Sequence, residues 1–317
     1  MLQKALEHVK TVAIGGHMHP DGDCIGACMG LYQYLKECKK EIETDVYLEE
    51  IAECFSFIEA TKEIRHTVIK EKEYDLFIAL DCGDAGRLGF SEELFQKAKQ
   101  TICIDHHISN QGFAQCNLIE PDASSTSELV YRELVPNPIS KKVAECLYLG
   151  IVHDTGVFQY SCTSPETMEA AACLMRTGIR HSEIIDQTFY EKTYAQNQIL
   201  GRALLESILL LDGQCIAAIV TRQEMNFFGL TPKDLEGIVS QLRVTKGVEV
   251  AIFMYETNPQ EYKVSLRSNQ CVDVSKVAQY FGGGGHKKAA GFTMAGSTYD
   301  VMNNLTRRIE DQLQEKQ

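Results

Sequence analysis

Residues 11–35 read TVAIGGHMHPDGDCIGACMGLYQYL: an apolar run, a polar turn and an amphipathic stretch. Thr11–Gly15 has the length and unbroken apolar character of a strand buried on both faces of a parallel sheet. Pro20 and Gly22 make the turn tight. Ile25, Met29, Tyr32 and Leu35 then recur at the spacing that lines one face of a helix. Strand, turn and helix in this order open a βαβ unit.

The pattern repeats outward. Asp75–Leu80 (DLFIAL) and Thr101–Ile104 (TICI) read as further buried strands, with Ser91–Gln100 a helical stretch between them. Residues 139–153 and 165–177 read as helices. The predicted fold is α/β: a mostly parallel open sheet flanked by helices, which binds ligands beyond the carboxyl ends of its strands. A long amphipathic pattern over Tyr190–Leu211 (Ile199, Leu204, Ile208, Leu211) reads as a connector. Beyond it, Gln214–Thr221, Val248–Tyr255 and Glu261–Arg267 read as strands, and Leu235–Arg243, Asp273–Tyr280 and Thr298–Gln314 as helices. The expected organisation is a catalytic domain over 1–188, a helical connector over 189–212 and a smaller α/β domain over 213–317. A chain of 317 residues exceeds the usual size of one core.

Composition narrows the function. The start, Met1–Lys10, lacks the pattern of a signal peptide, and no apolar run approaches a membrane span. The 12 cysteines form no CxxC pair, so they read as reduced thiols of a cytoplasmic protein with no membrane partner. Net charge is −13, divided as +1 for residues 213–317 and −14 for the rest. So acidic a surface repels long nucleic acid, which needs a basic stripe, but leaves short anionic substrates open.

The polar residues concentrate at strand ends. His17-Met18-His19-Pro20-Asp21-Gly22-Asp23 can converge on a cation, or serve as an ordinary turn with Asp23 capping the next helix. Asp81 ends the second strand in LDCGD, and alone would be a turn former. Asp105-His106-His107 ends the third in ICIDHH. Its three side chains share a site only if the chain turns there, because adjacent strand residues face opposite ways. His153-Asp154-Thr155-Gly156 adds an Asp before a glycine turn. As a set, these oxygen-rich donors with a minority of imidazole suit manganese or magnesium better than structural zinc. Cys24, Cys82 and Cys103 read as small core residues. His19 reads as a turn residue. Arg87 either reaches a substrate phosphate or forms a structural salt bridge. Ala123–Leu129 (ASSTSEL) is compatible with a capping box and reads as structural support.

The Gly282–Gly285 run, followed by His286, Lys287 and Lys288, is the strongest feature of the second domain. Such glycines let backbone N–H groups turn toward an anion, and a flexible linker would not sit between a helix and the apolar AAGFTM strand. Arg267 could clamp a terminal phosphate through its planar fork.

HMHPDGD, LDCGD, IDHH and HDTG occur in the order of the four motifs of the DHH phosphoesterase superfamily, and VSLRSNQ and FGGGGHKKAAG resemble its DHH-associated C-terminal domain. The resemblance spans nearly the whole chain and is greatest to the oligoribonuclease and 3′-phosphoadenosine-5′-phosphate phosphatase branch. It implies two Mn2+ ions per chain, with Mg2+ or Co2+ as substitutes. His17, Asp21 and Asp81 would hold one ion and Asp23, His106 and Asp154 the other, with Asp81 bridging. His107 would contact the scissile phosphate, and Asp105 would orient the neighbouring histidines. It further implies that Arg267, Gly283, Gly284, Gly285 and His286 bind substrate. The expected activity is hydrolysis of very short RNA or 3′-phosphoadenosine-5′-phosphate by a water between the ions. The rival substrates are cyclic or linear signalling dinucleotides, and a non-catalytic nucleotide sensor is the other class. Oligomeric state stays open, a homodimer included.

Overall fold

The computed structural model describes residues 1–69, 71–134 and 138–314, in two compact units, Met1–Glu191 and Lys192–Gln317. In the first, β1 (Thr11–Gly15), β2 (Glu43–Tyr47), β3 (Ile64–Arg65), β4 (Leu76–Leu80), β5 (Gln100–Asp105) and β6 (Cys116–Ile119) form one parallel sheet. Its order is β3-β2-β1-β4-β5-β6, which reverses direction between β1 and β4. Connections leave these two strands toward opposite faces, so a crevice opens beyond their carboxyl ends. His17 and Asp81 follow those two strands.

Helices α1 (Leu2–Ala5), α2 (Gly22–Cys38), α3 (Glu92–Lys97), α4 (Thr126–Leu134), α5 (Lys141–Asp154), α6 (Pro165–Met175) and α7 (His181–Ile185) complete the unit. The sheet is buried on both sides, which is why β1 after Thr11 and all of β4 are apolar. Val12 and Ile14 join the core packed by α2, α4 and α5, whereas Ala13 joins a second core of Tyr47, Tyr74, Phe77 and Phe95.

Two sequence readings of this unit need correction. Gln100 belongs to β5, pairing with Leu76, and the helix before it ends at Lys97 because Ala98 is already extended. Asp21, not Asp23, caps α2: its Oδ1 accepts the N–H groups of Asp23 and Cys24, both at 3.1 Å.

In the second unit, β7 (Ile208–Leu210), β8 (Cys215–Val220), β9 (Val250–Asn258), β10 (Glu261–Ser268), β11 (Gly284–His286) and β12 (Ala289–Ala295) form a mixed sheet in the order β11-β12-β10-β9-β8-β7. Helices α8 (Tyr194–Leu205), α9 (Arg222–Phe228) and α10 (Ile238–Arg243) pack on one face, and α11 (Val274–Tyr280) and α12 (Thr298–Gln314) on the other. Period-two alternation sorts the side chains: Val250, Ile252 and Met254 face α11 and α12, while Ala251 and Phe253 face the first three helices.

The expected connector helix over Tyr190–Leu211 is shorter. α8 stops at Leu205, and Ile208–Leu210 pairs with β8 through a turn in which Leu211, Asp212 and Gly213 all take positive φ. Ile208 satisfied the helical period, yet three residues there pair as strand. The helix expected over Leu235–Arg243 is interrupted by Gly237 at φ 89 and begins at Ile238. Among the described residues no helix is long and apolar enough to cross a membrane.

Candidate metal and phosphate site

The first unit brings His17, Asp21, Asp23, Asp81, His106, His107 and Asp154 to the carboxyl ends of β1, β4 and β5. His17 follows β1 and is buried. Its Nδ1 lies 2.8 Å from the Met18 carbonyl. A carbonyl only accepts, so Nδ1 carries the proton and the Nε2 lone pair points the other way. That Nε2 stands 3.4 Å from Asp81 Oδ2 and 3.7 Å from Asp21 Oδ1. His106 repeats the device: Nδ1 is 3.4 Å from the Ala123 carbonyl, and Nε2 faces Asp154 Oδ2 at 3.0 Å, Asp81 Oδ1 at 3.7 Å and Asp23 Oδ2 at 4.0 Å. The two oxygens of Asp81 therefore face two different histidines.

Asp81 takes a left-handed backbone, φ 55, rare for a residue with a side chain and a conformation that accumulates at working sites. The Thr126 hydroxyl donates to its Oδ1 at 3.0 Å. Asp23 is fully buried, and each of its oxygens accepts a backbone N–H from the first turn of α4, Thr126 at 2.6 Å and Ser127 at 2.9 Å. The positive end of α4 thus holds a carboxylate in place. Asp154 is the last residue of α5, after which Gly156, Val157 and Phe158 all take positive φ.

Electrostatically the pocket is short of positive charge. Burial pushes the Asp23 carboxyl well up, as do the Asp81 and Asp154 charges beside it, and burial likewise raises Asp154. Burial disfavours a charged His17, but the Asp21 and Asp81 carboxylates override it and raise that pKa to about 12. His106 is raised to about 10, against burial, by Asp154 and then Asp23. Protons are being drawn into a place that a cation would fill. Asp23, His106 and Asp154 have ligand atoms within 4.8 Å of one another, as do Asp81, His106 and His107, and also His17, Cys24 and Asp81. Oxygen and imidazole donors so grouped fit divalent ions.

His107 hydrogen-bonds through Nδ1 to Asp105 Oδ1 at 2.7 Å, which raises its pKa and leaves Nε2 free to meet a ligand. That hydrogen bond sets Asp105 against His107. Its other oxygen accepts from Asn110 Nδ2 at 2.7 Å.

Several contributors escaped the sequence reading. Asn110, three residues past His107, could have been suspected only as a turn former. The ASSTSEL run reads from sequence as support, yet its Thr126 and Ser127 hold two of the carboxylates directly. Glu128 is fully buried, linking Ser124 at 2.5 Å, Thr167 at 2.7 Å and Arg132. Other candidates stand apart. His19 is 93% exposed at φ 58 and pairs with Glu49. His153 is held neutral by burial, which lowers its pKa to about 4, and bonds Thr188. The Arg87 guanidinium forms no salt bridge among the described residues.

In the second unit the glycine run is part of a hairpin rather than a free loop. Gly284–His286 pairs with β12, and a Cβ at Gly283 would stand 2.3 Å from the Gly291 carbonyl. Cross-strand register sets His286 opposite Ala289 and Ala289 opposite Arg267. Residues directly opposite share a face, so His286 and Arg267 point the same way, two strands or about 10 Å apart. Ala251, opposite Arg267, packs under α8–α10, but the described core on that side does not extend past β9. Gly284, Gly291, Ser265, Lys263, His286 and Arg267 thus lie on one face of β10, β11 and β12.

The description "DHH family, N-terminal domain" matches residues 11–151, and the DHHA1 domain matches residues 212–315. The chain carries a DHH-family N-terminal domain followed by a DHHA1 domain. Among curated proteins, it is 28% identical to the bifunctional oligoribonuclease and PAP phosphatase NrnA of Thermus thermophilus, over 91% of this chain and 86% of that one. It is 24% identical to NrnA of Bacillus subtilis, over 89% and 88%. It is 25% identical to the cyclic-di-AMP phosphodiesterase GdpP of Bacillus subtilis, covering 98% of this chain but 49% of that protein. Among solved structures, an exopolyphosphatase-related protein from Bacteroides fragilis superposes with a TM-score of 0.89 and 26% identity, over 98% of this chain and 94% of that one.

Proposed function

We propose that this chain is a metal-dependent phosphoesterase hydrolysing very short RNA oligonucleotides, 3′-phosphoadenosine-5′-phosphate, or both. The observation that carries the reading is the division of Asp81, one oxygen toward His17 and the other toward His106. That arrangement supports a bridging carboxylate between two divalent ions, one with His17 and Asp21, the other with Asp23, His106 and Asp154. The names and near full-length match of the NrnA relatives support the substrate class.

Manganese suits this donor set, with magnesium or cobalt as substitutes. Bound there, two ions would supply an activated water and neutralise phosphate oxygens. The chain's own residues do the rest. The carbonyl-anchored Nδ1 protons of His17 and His106 keep both Nε2 atoms turned inward. The α4 N-terminus and Thr126 fix Asp23 and Asp81. His107, steadied by Asp105, presents Nε2–H to a non-bridging oxygen of the scissile phosphate and stabilises the charge that builds there. In the second unit, His286, Arg267 and the Gly283–Gly285 backbone bind a phosphate remote from the scissile bond, which raises substrate capture.

The GdpP relative favours linear or cyclic dinucleotides as the second reading. One panel separates them: metal-reconstituted protein assayed on 3′-phosphoadenosine-5′-phosphate, di- to pentanucleotide RNA and cyclic dinucleotides. Turnover confined to cyclic dinucleotides overturns the first reading, and no turnover of any substrate with manganese present overturns both.

A further inference from the structure

Cys24 is the third residue of α2, one position after Asp23, and is fully buried. Its sulfur lies over Gly16, where a Cβ would stand only 2.2 Å away, so the missing side chain at the end of β1 makes the space the sulfur occupies. That space adjoins His17. Cys24 Sγ, a His17 ring nitrogen and an Asp81 carboxylate oxygen all lie within 4.8 Å of one another, each on a buried residue. The Met18 carbonyl fixes the His17 tautomer, so its free lone pair is Nε2, on the side facing Asp81. Cys24 also packs within the buried core of this unit.

We propose that Cys24 is a latent sulfur ligand which, with His17 and Asp81, gives this half of the centre a nitrogen, sulfur and oxygen donor set. The inference rests on the reading of His17 and Asp81 as metal ligands. An all-oxygen and imidazole set is permissive for manganese and magnesium, whereas a thiolate selects for zinc, cobalt or ferrous iron. On binding, the ion takes the place of the thiol proton, which leaves to solvent. Bond lengths near 2.3 Å for sulfur and 2.0–2.1 Å for nitrogen set tetrahedral donor separations of about 3.6 Å, so donors at the 4.8 Å limit must close in by about an ångström. Zinc seated this way takes the position of a catalytic ion and ties it to a side chain that no phosphate substrate displaces, so zinc should antagonise manganese-supported turnover.

The test is cobalt substitution. Metal-free protein is titrated with Co2+, its cobalt content is measured by elemental analysis, and the near-ultraviolet is scanned for a sulfur-to-cobalt charge-transfer band. Cys24→Ser, Cys24→Ala and Cys28→Ala are examined alongside. Wild type and Cys28→Ala should bind cobalt and show the band. Both Cys24 variants should bind cobalt without it, and Zn2+ retention against a chelator should weaken by at least about tenfold. Cobalt bound by wild type with no band, or a band that survives in Cys24→Ala, overturns the sulfur ligand and leaves the metal reading standing. Failure of wild type to take up any cobalt overturns both.

Discussion

His107 Nδ1 stands 2.7 Å from Asp105 Oδ1, and the carboxylate that receives it is fully buried and braced from behind by Asn110. A buried carboxylate so placed holds the Nδ1 proton and favours the imidazolium, whose Nε2–H then points outward as a donor. Asp105→Asn removes the charge that favours the imidazolium and leaves a neutral ring beside the phosphate. It should lower kcat about 10–100-fold with metal content and KM little changed. Asn110→Ala should act in the same direction and less. Steady-state kinetics with elemental analysis decide it, and wild-type turnover in Asp105→Asn would sink the role.

A second expectation concerns Asp81, whose oxygens face His17 and His106. Asp81→Ala should remove most activity and weaken retention of both ions. Arg87→Ala should leave metal content intact, since a guanidinium stays protonated and has no lone pair to offer an ion. Two full equivalents of metal and near-normal turnover in Asp81→Ala would refute the bridge.

Gly150 offers a third test, because its close approach is to the site itself. A Cβ there would fall 1.9 Å from Ser127 Oγ and 2.6 Å from Asp23 Oδ1. Gly150→Ala should therefore cost about 1–3 kcal/mol in stability by overpacking. It should also weaken metal binding by displacing Asp23 from the α4 N-terminus. Denaturant unfolding and metal titration measure the two effects, and a variant as stable and as metal-competent as wild type would contradict the contact.

What could be read from the sequence followed from how each signal is encoded. The apolar runs of β1, β4 and β5 carry their burial in consecutive letters, so the parallel sheet was legible. β2 was not, since its residues ETDVY include a buried Thr44 and a buried Asp45. The charge is tolerated only because Arg65, Lys72 and Tyr74, some 20 to 29 residues onward, close around it. The short strand at Ile208–Leu210 escaped because its residues also fit a helical period. At the site, the polar turns were visible one by one, but their convergence depends on the β1/β4 reversal, a property of topology. The tautomers of His17 and His106 depend on carbonyls that no side-chain pattern announces.

The Asp45 cluster makes a pH prediction. Burial alone would raise its carboxyl, but Lys72, Tyr74 and Arg65 outweigh it and hold the pKa below the usual carboxylate value. A depressed folded-state pKa contributes stability that is complete above the unfolded value near 3.9 and is lost as pH falls through the folded one. Asp45→Asn should thus cost about 2–4 kcal/mol at neutral pH, and the gap to wild type should narrow as pH drops below about 4. Thermal unfolding of both proteins from pH 7 to pH 3 tests it, and a gap independent of pH would show the charge to be immaterial.

The last expectation concerns substrate length. His286 and Arg267 share one sheet face in the second unit, remote in sequence from every metal-ligand candidate. Binding energy from a distant phosphate helps capture and align the scissile bond without taking part in the chemistry. His286→Ala and Arg267→Ala should therefore keep their metal content and lose kcat/KM on short nucleotides. Longer RNA gains little on this chain: residues 213–317 carry 12 Lys and Arg against 11 Asp and Glu, and the rest of the sequence is at −14. Each added phosphate meets no further stripe of cations and approaches an acidic surface. Efficiency should peak on the shortest oligonucleotides and decline as chains lengthen, with the decline steepest at low salt, where repulsion is least screened. Kinetics on RNAs of graded length at two ionic strengths measure both trends. Rates that climb steadily with length would mean that a basic track exists which the sequence does not provide, and the enzyme would then be a processive nuclease.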